Sequence, residues 1–325
     1  MDIVKITKES GIPLIGVIQF GIIDRRTNLI QIRPSTSCNL NCTFCSTDAG
    51  IHGKHSVQYE IEYNYLIEWV KGIIKLKECN EIEANIDSVG EPALYHDLIK
   101  LIKELKKIPE IKFISMQTNG TLLAKEKIKQ LEKAGLNRIN LSIHSLNKEL
   151  AQKLSGMSAY NIEKIKTLAS LIKNSKIELN ITPVYLPNIS DKEIENIIEL
   201  AKELKCNIGI QKYETYKYSR KEKKAKEQNW FKFYKKLGEW EKEFSYKLKY
   251  GPLDFNLKKT KPVEKAFEVN EKVNIEIKLP GWYKNQMIGM AKNRLITVLN
   301  CNSPLNSKIK AKIISNDNNI YIAAL

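Results

Sequence analysis

Cys38, Cys42 and Cys45 place three thiols at C-x3-C-x2-C spacing, half of the six cysteines in a 325-residue chain. Neighbouring cysteines this close have Cα separations and directions unsuited to pairing with one another. A tight cysteine group without a secretory signature reads as a metal or cluster site. A structural zinc would need four ligands, commonly a second C-x2-C or a His pair. Cys79, Cys206 and Cys301 stand alone, so zinc would have to recruit His52 or His55. Three thiolates suit an iron–sulfur cluster with one iron left open.

Other residues able to bind or react sit between apolar segments. They are Asp87-Ser88-Val89-Gly90-Glu91-Pro92, Thr118-Asn119-Gly120, Ser142 with His144, Asn180 before Pro183, and Gln211. Their positions require strands that end at or close to each of them. Apolar runs predict strands at 28–33, 81–87, 111–117, 137–143, 176–184 and 206–211. Periods near 3.6 predict helices at 63–77, 94–105, 125–134, 147–154, 160–173 and 191–204. Strands alternating with helices imply a parallel α/β sheet with right-handed crossovers. A doubly wound sheet and a partial barrel both satisfy that alternation.

The cysteine spacing, with Phe44 before the last thiol and Gly90-Glu91-Pro92 after the second strand, resembles the radical S-adenosylmethionine (SAM) superfamily. The resemblance covers residues 29–211 and implies a partial (β/α)6 TIM-type barrel. It implies that Cys38, Cys42 and Cys45 hold three irons of a [4Fe–4S] cluster, with SAM chelating the fourth. It carries SAM contacts onto Phe44, Ser88, Gly90, Glu91, Thr118, Asn119, Ser142, Asn180 and Gln211. Val89 departs from the family's first glycine, and His144 stands where an Asp is usual. A small residue at 90 is then expected to leave room for the SAM ammonium. The implied chemistry is reductive cleavage of SAM to a 5′-deoxyadenosyl radical, fed by a donor such as ferredoxin or flavodoxin. No catalytic residue is assigned.

The formal charge is +16, and residues 212–265 hold 17 Lys and Arg against 8 Asp and Glu. Such an excess favours an anionic partner, nucleic acid above all. Lys212, Tyr213, Tyr216, Lys217, Tyr218, Arg220 and Lys221 interleave rings with cations, a pattern suited to unstacked bases and phosphates or to a solvated basic loop. Trp230, Phe233, Leu237, Trp240 and Phe244 repeat at helical spacing and predict a core-facing stripe. After Pro262, short alternating segments predict a small β-barrel. Their order resembles a TRAM domain, an OB-like RNA-binding barrel.

The expected organisation is a lead-in over 1–28, the radical SAM core over 29–211, a basic helical linker over 212–264 and the TRAM-like barrel over 265–325. No 18-residue apolar window or signal peptide occurs, so a cytoplasmic protein with no membrane partner is expected; its composition together with the TRAM-like tail resembles archaeal members of the superfamily. The expected function is modification of an RNA nucleoside, most plausibly in tRNA. The alternatives are a protein or peptide substrate, or an RNA-binding protein with a structural cluster.

Overall fold

A computed structural model describes residues 2–325. The chain forms two compact units. One holds residues up to Ser37, Lys54–Ile114 and Leu257–Leu325; the other holds Cys38–Gly53 and Ser115–Asn256.

A seven-stranded sheet runs in the order Asn207–Ile208, Glu178–Ile181, Arg138–Leu141, Ile111–Thr118, Ile82–Ile86, Leu29–Arg33 and Gly21–Asp24. Parallel registers join Leu29–Arg33 to Ile82–Ile86, and Ile111–Thr118 through Arg138–Leu141 and Glu178–Ile181 to Asn207–Ile208. Strands buried on both faces should be apolar at nearly every position. Ile30, Ile32, Ala84, Ile86, Ile114, Met116, Ile139 and Leu141 are all buried. The connecting helices cover the sheet with narrow apolar stripes, such as Leu98, Leu101, Ile102 and Leu105.

Two predicted strands are each broken. The fifth resumes as Val184–Tyr185 and the sixth as Gln211–Lys212, and these ends pair separately as a two-stranded ribbon. Pro183 explains the break, because it has no N–H for the ladder. Its carbonyl accepts from Gln211 N at 2.7 Å instead.

In the first unit, Gly21–Asp24 adds an antiparallel edge to the sheet. Asp24 and Lys77 form a buried ion pair at 2.7 Å, and the second Asp24 oxygen accepts from Val263 N at 2.8 Å. Strands Lys272–Pro280, Gln286–Ala291, Arg294–Leu299, Ile322–Ala324 and Lys308–Ser315 close, in that order, into a five-stranded barrel. Arg294–Leu299 and Ile322–Ala324 are parallel neighbours. Alternation fills the barrel with Val273, Ile275, Ile277, Ile296, Val298, Ile313 and other apolar side chains. Residues from the start of the chain seal it. Leu295 N donates to Ile15 O at 2.9 Å, Tyr321 N to Gly16 O at 2.8 Å, and Tyr59 Oη to Pro280 O at 2.6 Å.

Candidate cluster and cofactor site

The three cysteines lie on one loop, and none of them is in a disulfide. Helix Lys148–Ser155 holds the loop through its C-terminal carbonyls, which lack partners within a helix. Asn41 N donates to Ser155 O at 2.9 Å, and Thr43 N to Leu154 O at 3.0 Å. Gly156 ends this helix at φ 65°, and a Cβ there would lie 2.1 Å from Asn41 O. Glycine is therefore required for the loop to approach. On the other side, Asn119 Nδ2 donates to Asn39 Oδ1 at 3.0 Å, and Asn39 Nδ2 to Thr121 Oγ1 at 2.8 Å. Thr118 Oγ1 accepts from Gly120 N and shapes the same turn. The Thr-Asn-Gly segment thus braces the cysteine loop.

Phe44 is buried among Leu154, Leu186 and Tyr213. Its ring meets His144 edge-on at 4.8 Å. His144 Nδ1 accepts from Val184 N at 3.1 Å, so the neutral ring carries its proton on Nε2. Burial pushes the His144 pKa down to about 4. His144 is therefore a neutral donor near neutral pH.

Arg220 corrects the reading of the basic segment. Its guanidinium reaches Asp48 Oδ1 at 2.6 Å, Cys42 O at 3.1 Å and Ala49 O at 2.8 Å, and its N–H donates to Cys45 O at 2.9 Å. It clamps the cysteine loop, so its guanidinium is already engaged within the protein. Tyr213 is buried against Phe44, and the ammonium of Lys212 turns to Glu227 at 3.2 Å. Of the seven expected RNA contacts, Tyr216, Lys217 and Lys221 are exposed and Tyr218 is partly so. Nothing in the sequence pattern separates these two groups, because Arg220 and its loop partners lie 171 to 178 residues apart.

Polar side chains gather at the C-terminal ends of three strands. Gln117 Nε2 lies 3.1 Å from Ser142 Oγ and 3.0 Å from Thr182 Oγ1. Asn180 Nδ2 donates to Asn140 Oδ1 at 2.8 Å, while the buried Asn180 Oδ1 has no partner among the described residues. Such an orphan costs about 1–3 kcal/mol unless something fills it. Gln117, Asn140 and Thr182 were not anticipated; polar residues at the ends of apolar strands were their only signal. Gln211 is exposed.

In the first unit, segment 87–91 is knit to the residues that run into Cys38. Ser88 Oγ donates to Ser35 O at 2.6 Å, and Glu91 N to Ser37 O at 2.7 Å. The Glu91 carboxylate caps Ala93 N at 2.9 Å. A Cβ on Gly90 would lie 2.2 Å from Ser37 O and 2.6 Å from Thr36 O. The need for glycine is therefore close backbone approach within the protein, beyond any room left for SAM.

A model of the radical SAM superfamily matches residues 32–201, just over half of the chain. The chain belongs to the radical SAM superfamily. An uncharacterised protein of the archaeon Methanocaldococcus jannaschii is 41% identical over 99% of this chain and 82% of its own length. The GTP 3′,8-cyclases of Petrotoga mobilis and Aquifex aeolicus are 34% and 32% identical over 54% and 58% of this chain. The chain spans about half the length of those cyclases, 52% and 56%. Streptococcus suis SuiB bound to S-adenosylmethionine superposes with a TM-score of 0.51 at 21% identity, over 73% of this chain and 49% of SuiB. TYW1 with a lysine-pyruvate adduct gives 0.50 at 19%, over 71% and 78%. These two likenesses concern the fold.

Radical SAM proteins bind a [4Fe–4S] cluster and SAM and require an electron donor. The donor set fits a cluster. Burial and the charges of Cys38 and Cys45 push Cys42 up to about 12, with Arg220 pulling the other way, so the thiols share a small volume. Three thiolates there call for a cationic partner. No group of three His, Cys, Asp or Glu suited to a single metal ion occurs among the described residues. A cluster takes one thiolate per iron and does not need the sulfurs to converge on one ion. His55, the zinc alternative, stacks on Trp282 at 3.8 Å. No helix among the described residues is long and apolar enough to cross a membrane.

Proposed function

We propose that this radical SAM protein holds its cluster on Cys38, Cys42 and Cys45 and modifies a nucleoside of RNA, most plausibly tRNA. When bound, the cluster and SAM supply one-electron cleavage chemistry. The chain's own residues position and shield them. Phe44, the helix end at Ser155 and the Arg220 clamp fix the cysteine loop. Asn180 Oδ1 offers a buried acceptor to SAM, beside Ser142 and Thr182. Ser88, Gly90 and Glu91 contribute main chain, since their side chains are absent or already bonded.

The observation that carries the RNA reading is the concentration of charge in residues 212–265, 17 basic against 8 acidic. Two features support it. The barrel order first-second-third-fifth-fourth, with third and fifth strands parallel, suits an OB- or TRAM-type module. Similarity to GTP 3′,8-cyclases supports a purine nucleotide as the reacting moiety.

The test has two arms. Protein prepared without oxygen is expected to be brown, hold about four irons per chain and cleave SAM reductively. Replacing all three cysteines with Ala should abolish both, and an intact cluster in that variant would sink the assignment. RNA from cells with and without the gene should differ by one modified nucleoside in mass spectrometry. Identical nucleoside profiles would reject RNA as substrate.

A further inference from the structure

Helix Trp230–Phe244 follows its predicted stripe only in part. Phe233, Leu237 and Trp240 are buried, yet Trp230 is 52% exposed, Phe231 77% and Tyr234 48%. Asn229 Oδ1 caps the helix by accepting Lys232 N at 2.9 Å. Trp230 and Tyr234 stack at 5.8 Å and 28°, and Trp230 meets the buried Phe233 edge-on. Lys212 Nζ sits 5.2 Å over the Trp230 ring.

The charge beside these rings is uncompensated. Lys221, Lys223, Lys224 and Lys226 are exposed, and none has an acidic partner among the described residues. The three acids of this loop are taken: Glu222 is buried and faces Lys153, Glu214 pairs with Lys212 and Tyr216, and Glu227 binds Lys212 and Thr215. Lys232 and Lys235 add charge on the helix itself.

We infer that this helix start and the loop before it form a docking surface for unpaired RNA nucleotides. The inference rests on the RNA reading above and gives it a location. Trp230, Phe231 and Tyr234 stack bases, and Lys223, Lys224 and Lys226 meet phosphates. Single-stranded nucleic acid combines π faces with regularly spaced negative charge, which is what this surface complements. A second copy of the chain would set these lysines against their own equivalents. The barrel complements it less well. Lys272, Lys310 and Lys312 line two paired strands there without an aromatic residue among them. Its Trp282 is buried against His55, and Leu295 is bonded to Ile15.

The test uses the full-length, cluster-loaded protein and a labelled single-stranded RNA of ~20 nucleotides, alone and as duplex, from about 50 to 200 mM KCl. The single strand should bind more tightly and quench tryptophan fluorescence, and Trp230→Phe should remove most of the quenching. Replacing Trp230, Phe231 and Tyr234 together with Ala should weaken single-strand binding about tenfold or more at an unchanged salt slope. Replacing Lys223, Lys224 and Lys226 with Ser should reduce that slope by about two units. All of these variants should keep wild-type iron content, since the residues are exposed. An aromatic variant that binds like wild type overturns the surface, as does loss of binding confined to a Lys272, Lys310 and Lys312 to Ser variant. In both cases the RNA reading stands. A wild-type dimer that the aromatic variant splits into monomers also overturns the surface. Wild-type protein that binds neither RNA form at the lowest salt overturns the RNA reading itself.

Discussion

Arg220 Nε donates to Asp48 Oδ1 at 2.6 Å, across 172 residues of sequence, and both side chains are largely withdrawn from water. The same guanidinium holds the Cys42 and Ala49 carbonyls, so one side chain ties both flanks of the last cysteine.

Arg220→Ala should therefore loosen the cysteine loop. It leaves Asp48 buried without its cation, a change that costs about 3 kcal/mol. Iron per chain after desalting should fall well below wild type. Arg220→Lys should recover only part of it, because an ammonium cannot reproduce the fork of donors. Full iron retention in both variants would remove Arg220 from the loop's support.

Gly90→Val tests the close approach of segment 87–91. The clash with Ser37 O and Thr36 O should shift the backbone leading into Cys38, at about 1–3 kcal/mol. Iron incorporation and SAM affinity should fall together. A variant with full iron and weakened SAM binding would show that the glycine serves SAM alone.

His144 predicts a pH dependence. Its folded pKa, about 4, lies below the ordinary 6.5. Above pH 6.5 both folded and unfolded rings are neutral, and the residue adds no pH dependence. As pH falls from 6.5 toward 4, the unfolded ring takes a proton that the folded ring refuses. Stability should drop over that window by on the order of 2–3 kcal/mol. Melting temperatures measured from pH 7.5 to 5 should show a slope for wild type that His144→Asn lacks. Parallel curves would mean the ring is solvated.

The alternation of strands and helices was legible because parallel strands buried on both faces leave runs such as Ile82–Ile86, and helices covering them leave stripes such as Leu98, Leu101 and Ile102. The cysteine loop was legible because its donors are contiguous. Arg220 was not, since a local pattern of basic and aromatic residues says nothing about which cation will find a carboxylate far along the chain. The helix stripe was read correctly at Phe233, Leu237 and Trp240. It failed at Trp230 because periodicity marks one side of a helix but not how far along it the packing surface extends. The breaks near Pro183 were carried by the proline, yet the ribbon formed by the loose ends depends on two segments meeting in space.

The bonds from Ile15 and Gly16 to Leu295 and Tyr321 have a consequence for synthesis. At about 5–20 residues per second, a ribosome takes roughly 15 to 60 s to travel between those positions. Throughout that interval the first residues of the chain wait without their partners, and the cysteine loop is synthesised early in it. The thiols thus emerge long before the unit sealed by the barrel can close.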